Sequence, residues 1–176
     1  MRYDPTRHQR RSIRLSGHDY AAPYAYFVTI CVQGRRCLFG AVDSDTILLS
    51  DAGAIVRSAW EALPQRFPTI ALDAYVVMPN HLHGIVTLGE TPIAGVRLGD
   101  IVGAFKSLTT NAYSFGVRER GWVPFDQRLW QRNYYEHIIR DEADLARIRD
   151  YIEANPALWD ADRLHPAAAP NRFTQE

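Results

Sequence analysis

The sequence predicts an α+β protein with a ferredoxin-like antiparallel sheet and helices packed on it. Segments rich in β-branched and aromatic residues alternate with segments whose apolar residues recur at helical spacing. Their order is strand, helix, strand, strand, helix, strand, helix, which matches the split arrangement of that fold with helices on one side. The 176 residues, 47% of them hydrophobic, suit a single globular domain and exclude a disordered chain.

The first half of the chain supplies three strands and one helix. Residues 24–33 are apolar and β-branched up to Gly34, which predicts a first, central strand. Apolar residues at helical spacing over 50–63 predict a helix that Pro64 ends. Two further strands, 69–78 and 81–88, flank the short break Pro79-Asn80, which predicts a hairpin-like antiparallel pair.

The second half supplies two helices and one strand. Apolar residues from Leu98 to Thr109 lie on one helical face, and a loop is predicted over 116–125. A strand follows at 129–140. The last helix begins at Asp141, which forms a capping pair with Asp144, and it ends at Asn155-Pro156.

Three regions are predicted along the chain: a flexible basic arm (1–22), a single domain (23–160) and a loose C-terminal tail (161–176). The arm is rich in arginine, which grips phosphate in a bidentate way, although the net charge of zero argues against a nucleic-acid protein. The sequence has neither a membrane-length apolar run nor a signal-peptide core, which predicts a cytoplasmic protein. Cys31 and Cys37 are too few for a disulfide framework and are predicted to be buried thiols.

Two histidines in the third strand are candidate metal ligands. His81 and His83 are two residues apart, so both imidazoles point to one face of the sheet while Leu82 points to the core. Imidazole binds several divalent transition metals. The alternative is a pair of polar, outward-facing side chains, and the spacing alone leaves both interpretations open.

The last helix carries a second candidate pair. Tyr151 and Asn155 lie one turn apart, beside the buried stripe formed by Leu145, Ile148 and Ile152. The tyrosine could attack while the asparagine coordinates a metal. The alternative is that Tyr151 is a boundary residue of an amphipathic helix and Asn155 an ordinary C-terminal helix residue.

Four sequence stretches together resemble the single-tyrosine HUH transposases. They are RSIRL (11–15), YFVTI (26–30), VVMPNHLHG (76–84) and YIEANP (151–156). The chain is most similar to the REP-associated tyrosine transposases, over about residues 10–160. The resemblance implies an HUH-type ferredoxin-like domain in which Leu82 is the hydrophobic U, His81, His83 and Asn155 hold Mg²⁺ or Mn²⁺, and Tyr151 is the nucleophile. Two imidazoles favour Mn²⁺.

The activity that this resemblance implies is metal-dependent cleavage and joining of single-stranded DNA at palindromic hairpins, through a 5′-phosphotyrosine intermediate. A monomer that works at the bacterial nucleoid is expected, with a dimer that shares sites between subunits as the alternative. The candidate DNA-binding residues are Arg10, Arg11, Arg14, Arg35, Arg36 and Lys106. Tyr20 or Trp130 is expected to stack on bases, and His137 is a possible accessory group.

Several alternatives stay open. Tyr134 and Tyr135 are rival nucleophiles, but neither has a ligand-type residue four positions further along a helix. The protein could be a domesticated enzyme of chromosomal palindromes, or a regulator that binds repetitive palindromes without cutting them. A metal-dependent hydrolase of another substrate, using His81 and His83 with Asp73 or His137, is the third alternative.

Overall fold

The computed structural model describes residue 15 and residues 17–89 and 96–169. In this part of the chain, six strands and four α-helices follow one another. They are β1 (Ala25–Cys31), β2 (Gly40–Asp43), β3 (Thr46–Leu49), α1 (Asp51–Glu61), α2 (Leu63–Arg66), β4 (Ile70–Met78), β5 (His81–Leu88), α3 (Leu98–Arg120), β6 (Tyr135–Ile139) and α4 (Glu142–Ala154).

Four of the strands form one antiparallel sheet in the order β4-β5-β1-β6. The strand β1 pairs with β5 on one side and with β6 on the other, so it is central, as its apolar composition predicts. Helices connect β1 to β4 and β5 to β6, which gives the β-α-β-β-α-β order of a ferredoxin-like domain. The predicted fold class is confirmed.

The sheet has an apolar core on each face. On one face Tyr26, Val28 and Leu82 pack with the buried residues of α1 and α3. On the other face Phe27 and Ile85 pack with α4. Helices therefore cover both faces, and the expectation that they lie on one side was wrong. The consequence for function is that α4 lies on the face to which His81 and His83 point.

The helix α3 is longer than predicted. Tyr113 and Gly116 are buried and continue the apolar face beyond Thr109, so the helix runs on to Arg120. Gly121 ends it with a φ of 69°, a left-handed conformation that glycine adopts without steric cost. The predicted loop over 116–125 is therefore helical in its first half.

Two regions of extended chain also differ from the prediction. The segment 34–49, left unassigned from sequence, contains the β2–β3 hairpin, whose two-residue turn has positive φ at Ser44 and Asp45. The last strand is shorter than 129–140, because only Tyr135–Ile139 pairs with β1. Trp130 makes an isolated bridge to Val32 instead.

Both predicted termini are partly packed against the domain. Residues 1–14, 16 and 170–176 lie outside the described residues, so most of the basic arm is untested. Tyr20, within the predicted arm, is buried and hydrogen-bonds Glu136. Residues 161–169, for which we predicted a loose tail, accept hydrogen bonds from Arg35 in the loop after β1 and from Asn80 in the turn between β4 and β5.

Two smaller expectations can be compared directly with the structure. Cys31 is buried, as predicted, whereas Cys37 is exposed, which corrects the prediction of two buried thiols. None of the described helices combines the length and apolar character needed to cross a bilayer.

Candidate metal and nucleophile site

The two histidines begin β5 immediately after the turn at Pro79-Asn80. Both side chains are almost fully buried, and their ring centroids lie 4.5 Å apart. Leu82, between them, is fully buried on the opposite face in the larger core. The alternation of a strand therefore brings the two imidazoles together, and the alternative of outward-facing polar residues is wrong.

Each imidazole is held by its Nδ1 atom. His81 Nδ1 lies 2.8 Å from Asn80 Oδ1, and His83 Nδ1 lies 2.8 Å from the hydroxyl of Thr29. Burial lowers the pKa of His81 to about 3 and holds the pKa of His83 well below its ordinary value. Both rings are therefore neutral near neutral pH, the form that binds metal ions.

The helix α4 brings Tyr151 to this pair. The phenolic oxygen lies 3.3 Å from His83 Nε2, and the ring packs edge-on against Phe27. The side chain remains 42% exposed, so a large substrate can reach it. Burial raises the pKa of Tyr151, and the neighbouring Asn155 amide partly opposes this effect. The phenol is consequently protonated at neutral pH and is a poor nucleophile without activation.

Asn155 is the C-cap of α4 and is 97% buried, although its position beside the buried stripe of the helix suggests a half-open side chain. The amide lies beside His81 as well as Tyr151. The structure therefore brings together the four residues His81, His83, Tyr151 and Asn155, from two elements about 70 positions apart in sequence.

Three sets of contacts stabilise α4 and its position on the sheet. Asp141 caps its first turn by accepting from the Asp144 amide, as predicted. Apolar side chains of the helix pack in the smaller core. The guanidinium of Arg149 makes two hydrogen bonds of 2.9 and 2.6 Å to the carboxylate of Asp73. Asp73, which interrupts the apolar run of β4, lies at a β-bulge and anchors the helix.

Sequence reasoning missed Asp162. This residue follows the 3-10 turn Trp159–Ala161, and its carboxylate oxygen Oδ2 lies 3.6 Å from His81 Nε2. One ligand atom each from His81, His83 and Asp162 lie within 4.8 Å of one another. Burial raises the pKa of the Asp162 carboxyl. No periodicity marks this position, because it lies in an irregular segment whose course depends on tertiary contacts.

The buried polar atoms of the site suit a divalent cation. His81 Nε2, Asn155 Oδ1 and Asp162 Oδ2 are each buried without a hydrogen-bond partner among the described residues. Leaving such atoms unpaired costs about 1 to 3 kcal/mol each. Two imidazole nitrogens, an amide oxygen and a carboxylate oxygen form a mixed nitrogen and oxygen donor set that is compatible with Mn²⁺ or Mg²⁺.

Of the candidate DNA-binding residues, the three that the structure describes make hydrogen bonds within the protein. Arg10, Arg11 and Arg14 lie outside the described residues. The others donate to main-chain carbonyls of the protein itself: Arg35 to His165 and Ala168, Arg36 to Pro124, and Lys106 to Gln131, Arg132 and Asn133. Lys106, at least, has its three ammonium donors directed at the loop before β6.

Three further expectations concern side chains near the sheet. Tyr20 and Trp130 are both buried, and Trp130 donates its indole N–H to Thr109. Neither ring is free to stack on a base, so the expectation of base stacking was wrong. His137 lies 2.7 Å from the Asp144 carboxylate at the start of α4. That contact suits a structural histidine that steadies the helix.

Comparisons with known proteins show what this chain is similar to. No family model matches the chain. A Haemophilus influenzae protein described as "Uncharacterized protein" is 39% identical over 182 residues, covering 93% of this chain and 97% of its own length. A second protein of that organism, "Putative REP-associated tyrosine transposase", is 28% identical over 142 residues, covering 78% and 73%.

A solved structure of a REP-associated tyrosine transposase bound to a REP hairpin shares the fold. The TM-score is 0.60 at 24% identity, and the match covers 82% of this chain and 73% of that chain. The chain is thus similar in sequence to a putative REP-associated tyrosine transposase and shares its fold with a solved one. The resemblance predicted from the HUH and Tyr-x-x-x-Asn-Pro motifs is thereby confirmed, and the α+β fold is that of a REP-associated tyrosine transposase.

Proposed function

We propose that this protein is a metal-dependent endonuclease and strand transferase of single-stranded DNA, which acts at palindromic hairpins through a 5′-phosphotyrosine intermediate. The observation that carries the proposal is the position of the Tyr151 phenol, 3.3 Å from His83 Nε2 at the open side of the buried histidine pair. The related structure is bound to a REP hairpin, which supports DNA with that shape as the substrate.

His81, His83 and Asn155 would hold the metal, with Asp162 as a fourth donor. A divalent cation bound there would polarise the non-bridging oxygens of the scissile phosphate and stabilise the charge that develops on them. The protein's own residues position the phenol and keep the metal-binding nitrogens available. The packing of α4 fixes the phenol beside the donor atoms, and the burial of both rings keeps them neutral, so that one nitrogen of each retains a free lone pair.

The proposed reaction conserves the phosphodiester bond energy. The Tyr151 oxygen attacks phosphorus and forms a new O–P bond while the P–O3′ bond breaks. The phenolic proton leaves to solvent, and the departing 3′ oxygen takes up a proton from solvent. A second 3′-hydroxyl can then attack the phosphotyrosine and displace the phenol, which rejoins DNA without ATP.

All four proposed donors and the tyrosine come from one chain. A monomer can therefore hold a complete site, which supports the expectation that a second copy is not needed for cleavage. A DNA substrate would place the protein at the bacterial nucleoid.

The test is covalent trapping on a labelled single-stranded oligonucleotide that contains a palindrome from the same genome. Wild type should form a protein–DNA adduct in Mn²⁺, and Tyr151→Phe should lose the adduct while it still binds DNA. Tyr135→Phe is the matched control, because Tyr135 is 39% exposed on the same face of the sheet. An adduct that persists in Tyr151→Phe rejects the nucleophile, and tight binding by wild type without any adduct would support a non-cutting regulator.

A further inference from the structure

The side chain of Asn80 makes three hydrogen bonds although it is 99% buried. It lies in the turn that joins β4 to β5, directly before His81. Its Nδ2 atom donates to the carbonyl oxygens of Arg35 and Leu164, at 2.9 and 2.8 Å. Its Oδ1 atom lies 2.8 Å from His81 Nδ1. No other described part of the protein connects the histidine pair, the loop after β1 and the C-terminal segment through one group.

These contacts determine where His81 carries its proton. A carbonyl oxygen can only accept a hydrogen bond, so the two carbonyls must face the NH₂ end of the Asn80 amide. The oxygen end then faces His81 and can only accept. His81 Nδ1 must therefore carry hydrogen, and the lone pair of the neutral ring is on Nε2, the atom that points toward Asp162.

The second histidine has no such constraint. His83 Nδ1 faces the hydroxyl of Thr29, and a hydroxyl can either donate or accept. Thr29 is therefore compatible with both tautomers of His83. The contrast shows that the fixed tautomer of His81 results from the Asn80 amide and not from burial, which is the same for both rings.

The same amide holds the segment that supplies Asp162. The Leu164 carbonyl that Asn80 binds is two residues beyond Asp162, and the Leu164 amide donates to Asp162 Oδ1 at 2.7 Å. The guanidinium of Arg35 holds the same segment further on, at the carbonyls of His165 and Ala168. With Oδ1 used in this way, Asp162 Oδ2 is left to face the histidines.

We propose that Asn80 is a positioning residue that prepares the metal site in two ways at once. It fixes the His81 tautomer that presents Nε2, and it docks the segment that presents Asp162. The effect of Asn80 on metal binding rests on the proposed metal site. The proton on His81 Nδ1 and the position of the segment that contains Asp162 can both be measured in the metal-free protein.

The first experiment measures the tautomer by long-range ¹H–¹⁵N NMR of the full chain without metal. Wild-type His81 should show a protonated Nδ1 and an unprotonated Nε2. In Asn80→Ala, which removes the acceptor, this pattern should be lost or mixed. Asn111→Ala, on the exposed surface of α3, is the matched control and should keep it. A wild-type His81 with its proton on Nε2 overturns the proposal, even if Asn80→Ala fails to fold.

The second experiment measures hydrogen exchange of the backbone amides over 164–168. Asn80→Ala and Arg35→Ala should both exchange faster there than wild type, because each loses contacts to the segment. Only Asn80→Ala should also alter the His81 tautomer. Unchanged exchange in Asn80→Ala would overturn the docking role.

Calorimetric titration with Mn²⁺ then tests the consequence. Asn80→Ala should bind Mn²⁺ about 10- to 100-fold more weakly than wild type, the usual effect of removing a group that orients a metal ligand. Equal affinity would overturn the positioning role. A wild type that binds no Mn²⁺ but shows the expected tautomer and exchange would instead reject the metal site and leave the structural assignment of Asn80 intact.

Discussion

Gly84 is a position in the four-stranded sheet where a single added methyl group should be damaging. It follows His83 in β5, and the Trp60 indole of α1 packs directly onto its backbone. A Cβ atom built at Gly84 would lie 2.4 Å from Cζ2 of that indole. This is about 1 Å inside the 3.4 Å at which ordinary contact begins.

The indole has little room to retreat. Trp60 is fully buried and packs edge-on against Phe105 of α3 at a centroid separation of 5.4 Å. Overpacking of this kind costs about 1 to 3 kcal/mol. For a chain of this length each kcal/mol lowers the melting temperature by roughly 2 to 4 °C. Gly84→Ala should therefore melt about 2 to 12 °C below wild type.

The matched control is Gly103→Ala in α3, where a Cβ atom would meet nothing within 4 Å. Replacing an exposed helical glycine by alanine should stabilise the protein by about 0.5 to 1 kcal/mol. Thermal melts and urea titrations of both variants supply the measurement. If Gly84→Ala is as stable as wild type while Gly103→Ala behaves as expected, Trp60 is not locked against β5, and the packing argument fails.

Three further changes separate structural from functional roles. Lys106→Met should lower the free energy of unfolding by about 1 to 3 kcal/mol in urea titrations, because three carbonyl groups lose their hydrogen-bond donor. Unchanged stability with weaker DNA binding would instead favour a contact between Lys106 and a DNA phosphate. Asp73→Asn should lower the free energy of unfolding by less than about 1 kcal/mol at pH 7, relative to wild type. Arg149 lowers the pKa of Asp73, so the ion pair stabilises the protein only while the carboxylate is charged. The difference in stability between wild type and Asp73→Asn should therefore disappear as the pH falls below about 3.9. A difference that grows in acid would contradict the pairing. Asp162→Asn should weaken Mn²⁺ binding on the order of tenfold, whereas the control Asp160→Asn should bind Mn²⁺ as wild type does. An equal loss of affinity in both variants would show that Asp162 is not a metal ligand.

Regular periodicity made much of the fold predictable. The strands at 70–78 and 81–88 were placed within one residue, because long apolar runs flank a Pro-Asn break. The face shared by His81 and His83 follows from strand geometry alone. The proximity of Tyr151 did not follow from any local pattern. It came from the family resemblance, and the structure accounts for it by placing α4 on the histidine face of the sheet.

The features that were missed depend on contacts between distant residues. The β2–β3 hairpin has only four residues per strand, which is too short for a clear alternation, and its turn uses non-glycine residues at positive φ. The extension of α3 was missed because Gly116, usually a helix breaker, is buried beneath Trp122. Asp162 was missed because nothing local distinguishes it from the exposed Asp160.

The separation of the site residues along the chain has a consequence for the protein while it is being translated. The histidines are made early, but Tyr151, Asn155 and Asp162 are made only after the whole sheet. A nascent or truncated chain that ends before residue 151 can already contain all strands of the domain and still have neither a nucleophile nor a full set of donors. Under the proposed function, DNA is thus protected from incomplete copies of the enzyme.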